Sequence, residues 1–336
     1  MTAAKKSPTI YDVAKLSDVS ISTISRVLNA PEKVNPGTHK RVMEAIDRLG
    51  FVPKAEARAR ALQQTGRIGV ITPFFTAPSF VQRLRGVASV LSKTNYELVI
   101  YTVDSMEHLH GYISSIPLTG NLDGIIIMSL SIGEENVQRF INGGLETVLI
   151  EYFHPKLNSI EIDDLQGGRL AAQHLIQKGH RRIAFLGDVK TPEKYAIHPA
   201  SARLRGFKEA LQEAGLSLCE EYVRLCSNTQ EGSRQAAREL LNLPTPPTAI
   251  FAAADIQALG IMKVARQVDL GIPDQLAVIG FDDIDIAEHV DLTTIRQHLD
   301  DSGRLAAEMV LSGLEDSKRP LQHIHLPLQV VERATT

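Results

Sequence analysis

The chain has 336 residues, 43% of them hydrophobic, a formal net charge of −3 and two cysteines, Cys219 and Cys226. That length and apolar content describe a globular protein of more than one domain. Two cysteines seven positions apart exclude a disulfide scaffold and fit no zinc pattern; no apolar run approaches a membrane span, and the start MTAAKKSPT has no apolar signal region, so a cytoplasmic protein is expected.

The first elements fall in residues 9–29, TIYDVAKLSDVSISTISRVLN. Two short amphipathic helices fit this stretch, broken at Ser17-Asp18 and restarted at Ser20, whose hydroxyl can accept a free backbone N–H. On the second helix Ile24, Val27 and Leu28 share one side, while Ile21, Ser22, Ser25, Arg26 and Asn29 recur on the other. One buried and one outward face are what a helix-turn-helix needs, because the major groove admits one helix and offers base edges to its outward side chains. A third helix starts at Asn35-Pro36, buries Val42, Ala45, Ile46 and Leu49 and stops at Gly50. Residues 1–52 thus read as a small all-α DNA-binding headpiece.

Residues 53–66 follow, with the Ala-rich run KAEARARAL. Its helical propensity is high but it lacks a broad apolar face, so it reads either as a plain linker or as a hinge helix that orders when held against DNA. The charge changes here too. The first 62 residues hold 11 of the 36 bases and 6 of the 39 acids, a net of +5, which leaves −8 for the remainder. A basic module fused to an acidic body is the pattern of a protein that meets a polyanion at one end.

From residue 67 to 336 short apolar runs alternate with helical patterns. Strands are predicted at 68–72, 98–103, 124–128, 147–150, 182–186, 249–253 and 276–281, and helices at 79–93, 134–142, 165–178, 201–214, 230–241, 255–268 and 299–311. Apolar strands separated by helices predict parallel sheets covered on both faces, and their number predicts two α/β subdomains with a cleft between them. Ligands of such folds bind at the carboxyl ends of strands, and there the sequence places Phe74, Phe75, Ser79 and Phe80, then Glu151, Arg203, Asp255 and Asp282. Carboxylates and an arginine can bond vicinal hydroxyls while aromatic rings pack on a sugar face. Asp255 is equally well placed to cap the helix it opens.

These stretches, together with HKRVMEAIDRLGFVP, DDLQGGRLAAQHLIQKGHRRIAFLGD, SARLRGFKEAL and AVIGFDDIDIAEHVDLTTIRQ, make the chain resemble a transcription regulator of the lactose/galactose repressor (LacI) family over nearly its full length. The resemblance implies a homodimeric repressor that binds a pseudo-palindromic double-stranded operator through two headpieces, and a periplasmic-binding-protein-like core whose cleft takes a small effector, most often a sugar. It places Ile21, Ser22 and Arg26 at base-reading positions and Thr9, Tyr11, Thr23, Ser25 and Asn29 near phosphates. In the core it places Phe75, Ser79, Arg203, Asp255, Asp282 and Glu151 against the effector. No cofactor or metal is implied.

Three departures stand out. The turn reads Ser17-Asp18-Val19-Ser20 where the family has Ala-Gly-Val-Ser; Asp tolerates the left-handed conformation better than most residues. Arg60 stands where the family has a leucine that wedges into the minor groove, and arginine favours a narrow groove instead of a kink. Ala254 stands where many sugar-binding members have asparagine. Two other classes fit less well: an α/β enzyme, for which no G-x-S-x-G, P-loop or G-x-G-x-x-G follows a predicted strand, and a solute-binding protein, which would have no use for the basic headpiece.

Overall fold

The computed structural model describes residues 8–29, 33–51, 65–188, 196–227 and 229–336. The chain divides into two compact units, Met1–Thr65 and Gly66–Thr336. Residues 52–64, which include Arg60 and nearly all of the expected hinge, lie outside the described residues.

The first unit holds α1 (Ile10–Ser17), α2 (Ile21–Asn29) and α3 (Pro36–Leu49). Asp12 turns back to accept from the Thr9 N–H at 2.8 Å, closing the start of α1. Asp18 ends α1 in the left-handed conformation, φ 53° and ψ 49°, so this non-glycine residue does make the turn. The Ser20 hydroxyl then accepts from the Thr23 N–H at 3.2 Å and starts α2. Asn35 does the same for α3, accepting from Gly37, and Gly50 closes that helix at φ 62°. Val13, Ile24, Val27, Val42, Ala45 and Ile46 form the core of the unit.

The second unit begins with β1 (Arg67–Pro73), α4 (Pro78–Leu91), β2 (Glu97–Val103), α5 (Met106–Thr119), β3 (Gly124–Met128), α6 (Glu134–Asn142), β4 (Glu146–Ile150) and β5 (Asn158–Glu161). It continues through α7 (Asp164–Gln177), β6 (Ile183–Asp188), α8 (Ala200–Glu213), β7 (Val223–Cys226), α9 (Gln230–Leu241), β8 (Ala249–Ala252), α10 (Asp255–Gln267) and β9 (Ala277–Asp282). α11 (Asp285–His289), β10 (Thr293–Arg296), α12 (Leu299–Glu315), β11 (His323–His325) and β12 (Gln329–Val331) complete it.

The strands form two six-stranded sheets, ordered β11-β5-β4-β3-β1-β2 and β12-β10-β9-β8-β6-β7. All pairings are parallel except β10 with β12. Each sheet is covered on both faces by apolar clusters, which is why its central strands read as unbroken apolar runs. The chain leaves the first sheet after β5, returns after β10 so that α12 packs Ala306, Ala307 and Val310 on the first sheet, and crosses again between β11 and β12.

The two halves repeat a sequence device that prediction passed over. Arg83-Leu84-Arg85-Gly86 on α4 recurs as Arg203-Leu204-Arg205-Gly206 on α8; Gly168-Arg169-Leu170-Ala171-Ala172 on α7 recurs as Gly303-Arg304-Leu305-Ala306-Ala307 on α12. A methyl group at Gly206 would collide with the Leu165 carbonyl, and one at Gly86 with that of Asp300. The absent side chains let α8 lie against α7, and α4 against α12, backbone to backbone. Arg83 and Arg203 thereby take matching places, one in each half.

Candidate effector cleft and DNA-reading helix

On α2, Ile24 and Val27 are buried while Ile21, Ser22 and Arg26 are exposed. The Ser22 hydroxyl meets that of Ser20 at 2.8 Å, and Thr23 meets the same oxygen at 2.9 Å, so Ser20 anchors two of the expected contact residues. Ser25 is half-buried, and Tyr11 on α1 is 70% exposed. Thr9 precedes α1 with its hydroxyl on Asp12, and Asn29 is the last residue of α2. A small apolar, a hydroxyl and a guanidinium on one exposed helical face can meet a thymine methyl, a base-edge group and a guanine in turn.

In the second unit a cleft of about 620 Å³ opens where the strands of the two sheets end, within the size range of small-molecule sites. Pro73, Ser129 and Glu151 line it from the first half; Asp188, Ser227, Ala253 and Asp282 line it from the second; Gln297, where the chain crosses after β10, lines it too. Glu151, at φ 62°, accepts from the Arg83 guanidinium and the Ser129 hydroxyl. Arg83 also donates to Gln297 Oε1 at 3.1 Å, and the Gln297 amide donates to Asp282. Arg203 donates to Asp164 at 2.8 Å and to the Ala253 carbonyl at 2.5 Å, sits 3.9 Å from Asp282, and lies over the Phe281 ring at 3.5 Å.

Carboxylates outnumber guanidiniums in this lining, and burial acts on them unevenly. Burial pushes Asp164 and Asp188 above the ordinary carboxylate range, and it pushes Asp282 up to about 7 despite Arg203, whose hydrogen bonds go to Asp164 and Ala253. Burial would raise Glu151 as well, but Arg83 and the Ser129 hydroxyl outweigh it and hold this carboxyl low. Asp282 is also conformationally unusual, at φ 120°. A non-glycine residue in that region persists only where its surroundings hold it, which is common where ligands are gripped.

Of the core residues singled out from sequence, Ser79, Phe80, Glu151, Arg203 and Asp282 line the cleft. Two expectations need correction. Phe75 lies off the cleft; Phe74, itself exposed, lines it instead, its backbone left-handed at φ 47°, its carbonyl accepting from the Ala77 N–H and its ring meeting Phe80 edge-on at 6.5 Å. Asp255 is wholly buried and does not line the cleft. It accepts from the Thr294 hydroxyl at 2.5 Å and the Ile284 N–H at 2.9 Å, tying α10 to β10 and to the start of α11, and it does not cap its own helix. Sequence reading missed Arg83, Ser129, Asp164, Asp188 and Gln297. The repeated Arg-Leu-Arg-Gly could have found Arg83; Ser129 and Asp188 stand at strand ends and Asp164 at a helix start, the same signal that marks Glu151, Asp282 and Arg203, and only Gln297 carries no local signal.

A helix-turn-helix unit joined in one chain to a two-lobed parallel α/β core with a polar cleft defines a ligand-sensing DNA-binding regulator. Residues 9–54 match the bacterial regulatory proteins of the lacI family, and residues 172–336 match the periplasmic binding protein-like domain. The chain is 32% identical to the ribose operon repressor of Escherichia coli (strain K12) over 336 residues, covering 97% of this chain and 99% of that protein. Among solved structures it resembles the transcriptional regulator CelR in complex with cellobiose (TM-score 0.70, 27% identity, 98% of this chain and 100% of that one). It also resembles the Lac repressor dimer bound to operator and the anti-inducer ONPF (TM-score 0.80, 25% identity, 98% and 99%). The chain belongs to the LacI family of transcription regulators. No helix among the described residues is long and apolar enough to cross a membrane.

Proposed function

We propose that this protein is a cytoplasmic, homodimeric repressor whose affinity for a pseudo-palindromic operator changes when a sugar or sugar derivative occupies the core cleft, and that it has no catalytic role. The observation that carries the reading is the bonded chain from Glu151 through Arg83 and Gln297 to Asp282, which lines one cleft with polar groups from both halves of the core. A polyol seated there can bond both halves at once, and so favours whichever mutual orientation serves both. Ser79, Phe80, Glu151, Arg203 and Asp282 are assigned to effector contact, with Phe74 in place of Phe75.

On the DNA side Ile21, Ser22 and Arg26 read base edges, and Thr9, Tyr11, Thr23, Ser25 and Asn29 lie near phosphates. Arg60, in the segment outside the described residues, is assigned to the minor groove. The test is selection of bound duplexes from a random pool, followed by titration of the selected duplex with and without sugars. An enriched two-fold-symmetric sequence whose binding shifts with a sugar is the expected result; no enrichment over a variant lacking residues 1–52 would overturn the reading.

A further inference from the structure

Asp188 is the last residue of β6 and lines the cleft, yet its place among the carboxylates there is distinct. Glu151 is bonded by Arg83, and Asp282 has Arg203 at 3.9 Å and the Gln297 amide. The hydrogen bonds of Arg203 go to Asp164 and the Ala253 carbonyl, so no arginine donates to Asp188 among the described residues. Its one side-chain donor there is Gln257, whose amide gives a hydrogen to Oδ1. Gln257 lies on the first turn of α10, wholly buried, and its own Oε1 has no partner among the described residues. An amide buried with an unmet acceptor is unfavourable by itself, so its place in the fold rests on the carboxylate at its other end.

We propose that Asp188 is a specificity-determining acceptor for an effector hydroxyl, and that Gln257 is the positioning residue that aims it. This rests on the sugar reading above. A carboxylate that is hydrogen-bonded at one oxygen by a neutral amide, and to which no arginine donates among the described residues, keeps its other oxygen for neutral O–H donors, and a sugar hydroxyl is such a donor. Ser227 and Thr229 line the same wall and can take up the remaining hydrogen-bonding capacity of that part of the ligand. An effector that reaches β6 with a hydroxyl is favoured over one that presents hydrogen or methyl there, because the latter leaves the second carboxylate oxygen of Asp188 desolvated and unmet.

The test uses the full-length protein with D-ribose, D-glucose and cellobiose as probes. The sugar giving the largest thermal shift, and its monodeoxy analogues, are then titrated calorimetrically into wild type, Asp188→Asn, Asp188→Ala and Gln257→Leu. The expected result is a loss of affinity of about ten- to hundredfold in Asp188→Ala. Gln257→Leu should lose less, and one monodeoxy analogue should bind wild type as weakly as Asp188→Ala binds the parent sugar. That analogue should lose nothing further on Asp188→Ala, a non-additivity that mere structural damage does not produce. Equal affinity for wild type and Asp188→Ala overturns the proposal, as does a deoxy series that loses the same on both. Should Asp188→Ala fail to fold, Asp188→Asn and Gln257→Leu decide by the same comparison. If no sugar shifts wild type, the sugar reading falls, and the assignment of Asp188 falls with it.

Discussion

Arg83 and Asp282 stand in different halves of the core, yet a single side chain holds both: Gln297 accepts from the Arg83 guanidinium at 3.1 Å and donates its amide hydrogen to Asp282. A glutamine suits this place because it carries one acceptor and one donor group on a common plane, matched to a cation on one side and an anion on the other. Gln297 is 3% exposed, so water cannot easily replace it. The two halves are thus joined by a polar contact at the floor of the cleft where the effector is expected.

Replacing Gln297 with leucine should leave a buried N–H and a buried carboxylate oxygen unmatched, at a cost of about 1–3 kcal/mol for each group. Differential scanning calorimetry should show a lower unfolding midpoint, and the effector-dependent change in operator affinity should shrink. A variant with wild-type midpoint and wild-type response would show that the tie carries no energy.

Asp282 supplies a pH dependence. Its carboxyl titrates near an ordinary 3.8 when unfolded and is pushed up to about 7 by burial in the native protein. The folded state therefore holds the extra proton between those values. Its contribution to stability is present below about pH 4 and is lost as the pH rises towards and through about 7. Glu151, held low by Arg83 and the Ser129 hydroxyl, works the opposite way: its stabilisation is lost as the pH falls through its depressed titration. Urea unfolding of wild type and Asp282→Asn at pH 5 and pH 8 should give a stability difference that moves in favour of the asparagine variant at pH 8. A difference independent of pH would refute the assignment.

The crossing of α7 and α8 should be intolerant of a single methyl group. Gly206→Ala forces a side chain onto the Leu165 carbonyl, part of the backbone, which cannot rotate out of the way. Overpacking of this kind costs about 1–3 kcal/mol. Because Arg203 is one helical turn away, the variant should also bind the effector less tightly; unchanged stability would mean that the helices separate without strain.

Arg26→Ala should reduce the preference for the selected operator over scrambled duplex by about 1–3 kcal/mol. Mobility-shift titrations at fixed salt measure both affinities. An unaltered ratio with both affinities lowered would make Arg26 a phosphate contact only.

Much of this architecture can be read in the sequence because local and tertiary preferences agree. The runs around Ile126, Val148 and Ile250 are apolar without interruption since both faces of their strands are buried. Ser20, Asn35 and Gly50 mark helix ends by the hydrogen bonds they make or the φ they permit. The short strands late in the chain left no such trace. His323–His325 is three residues long with both histidines exposed, and Thr293–Arg296 is a four-residue strand paired on both sides, to β9 and β12. α5 has a weak helical signature because it holds Pro117 and two serines that bond back to the His110 and Gly111 carbonyls.

The site divides in the same way. Glu151, Arg203 and Asp282 could be found by their positions after strands or at a helix start. Asp255 occupies an equally promising position, but its helix turns the carboxylate inward to Thr294 and Ile284. Phe74 and Phe75 exchange places through one left-handed residue. Gln297 gains its meaning only when the chain crosses between sheets, a long-range event with no local pattern.

Those crossings set what the core can do. β11 pairs with β5 in one sheet and β12 with β10 in the other, so the third passage runs beside the first at one end and beside the second at the other. Three neighbouring peptide segments form a band, like the spine of a book. Such a band bends and twists more readily than it lengthens, which favours a change of angle between the halves over their separation. A ligand that grips both walls of the cleft would register as a rotation of one half of the core against the other.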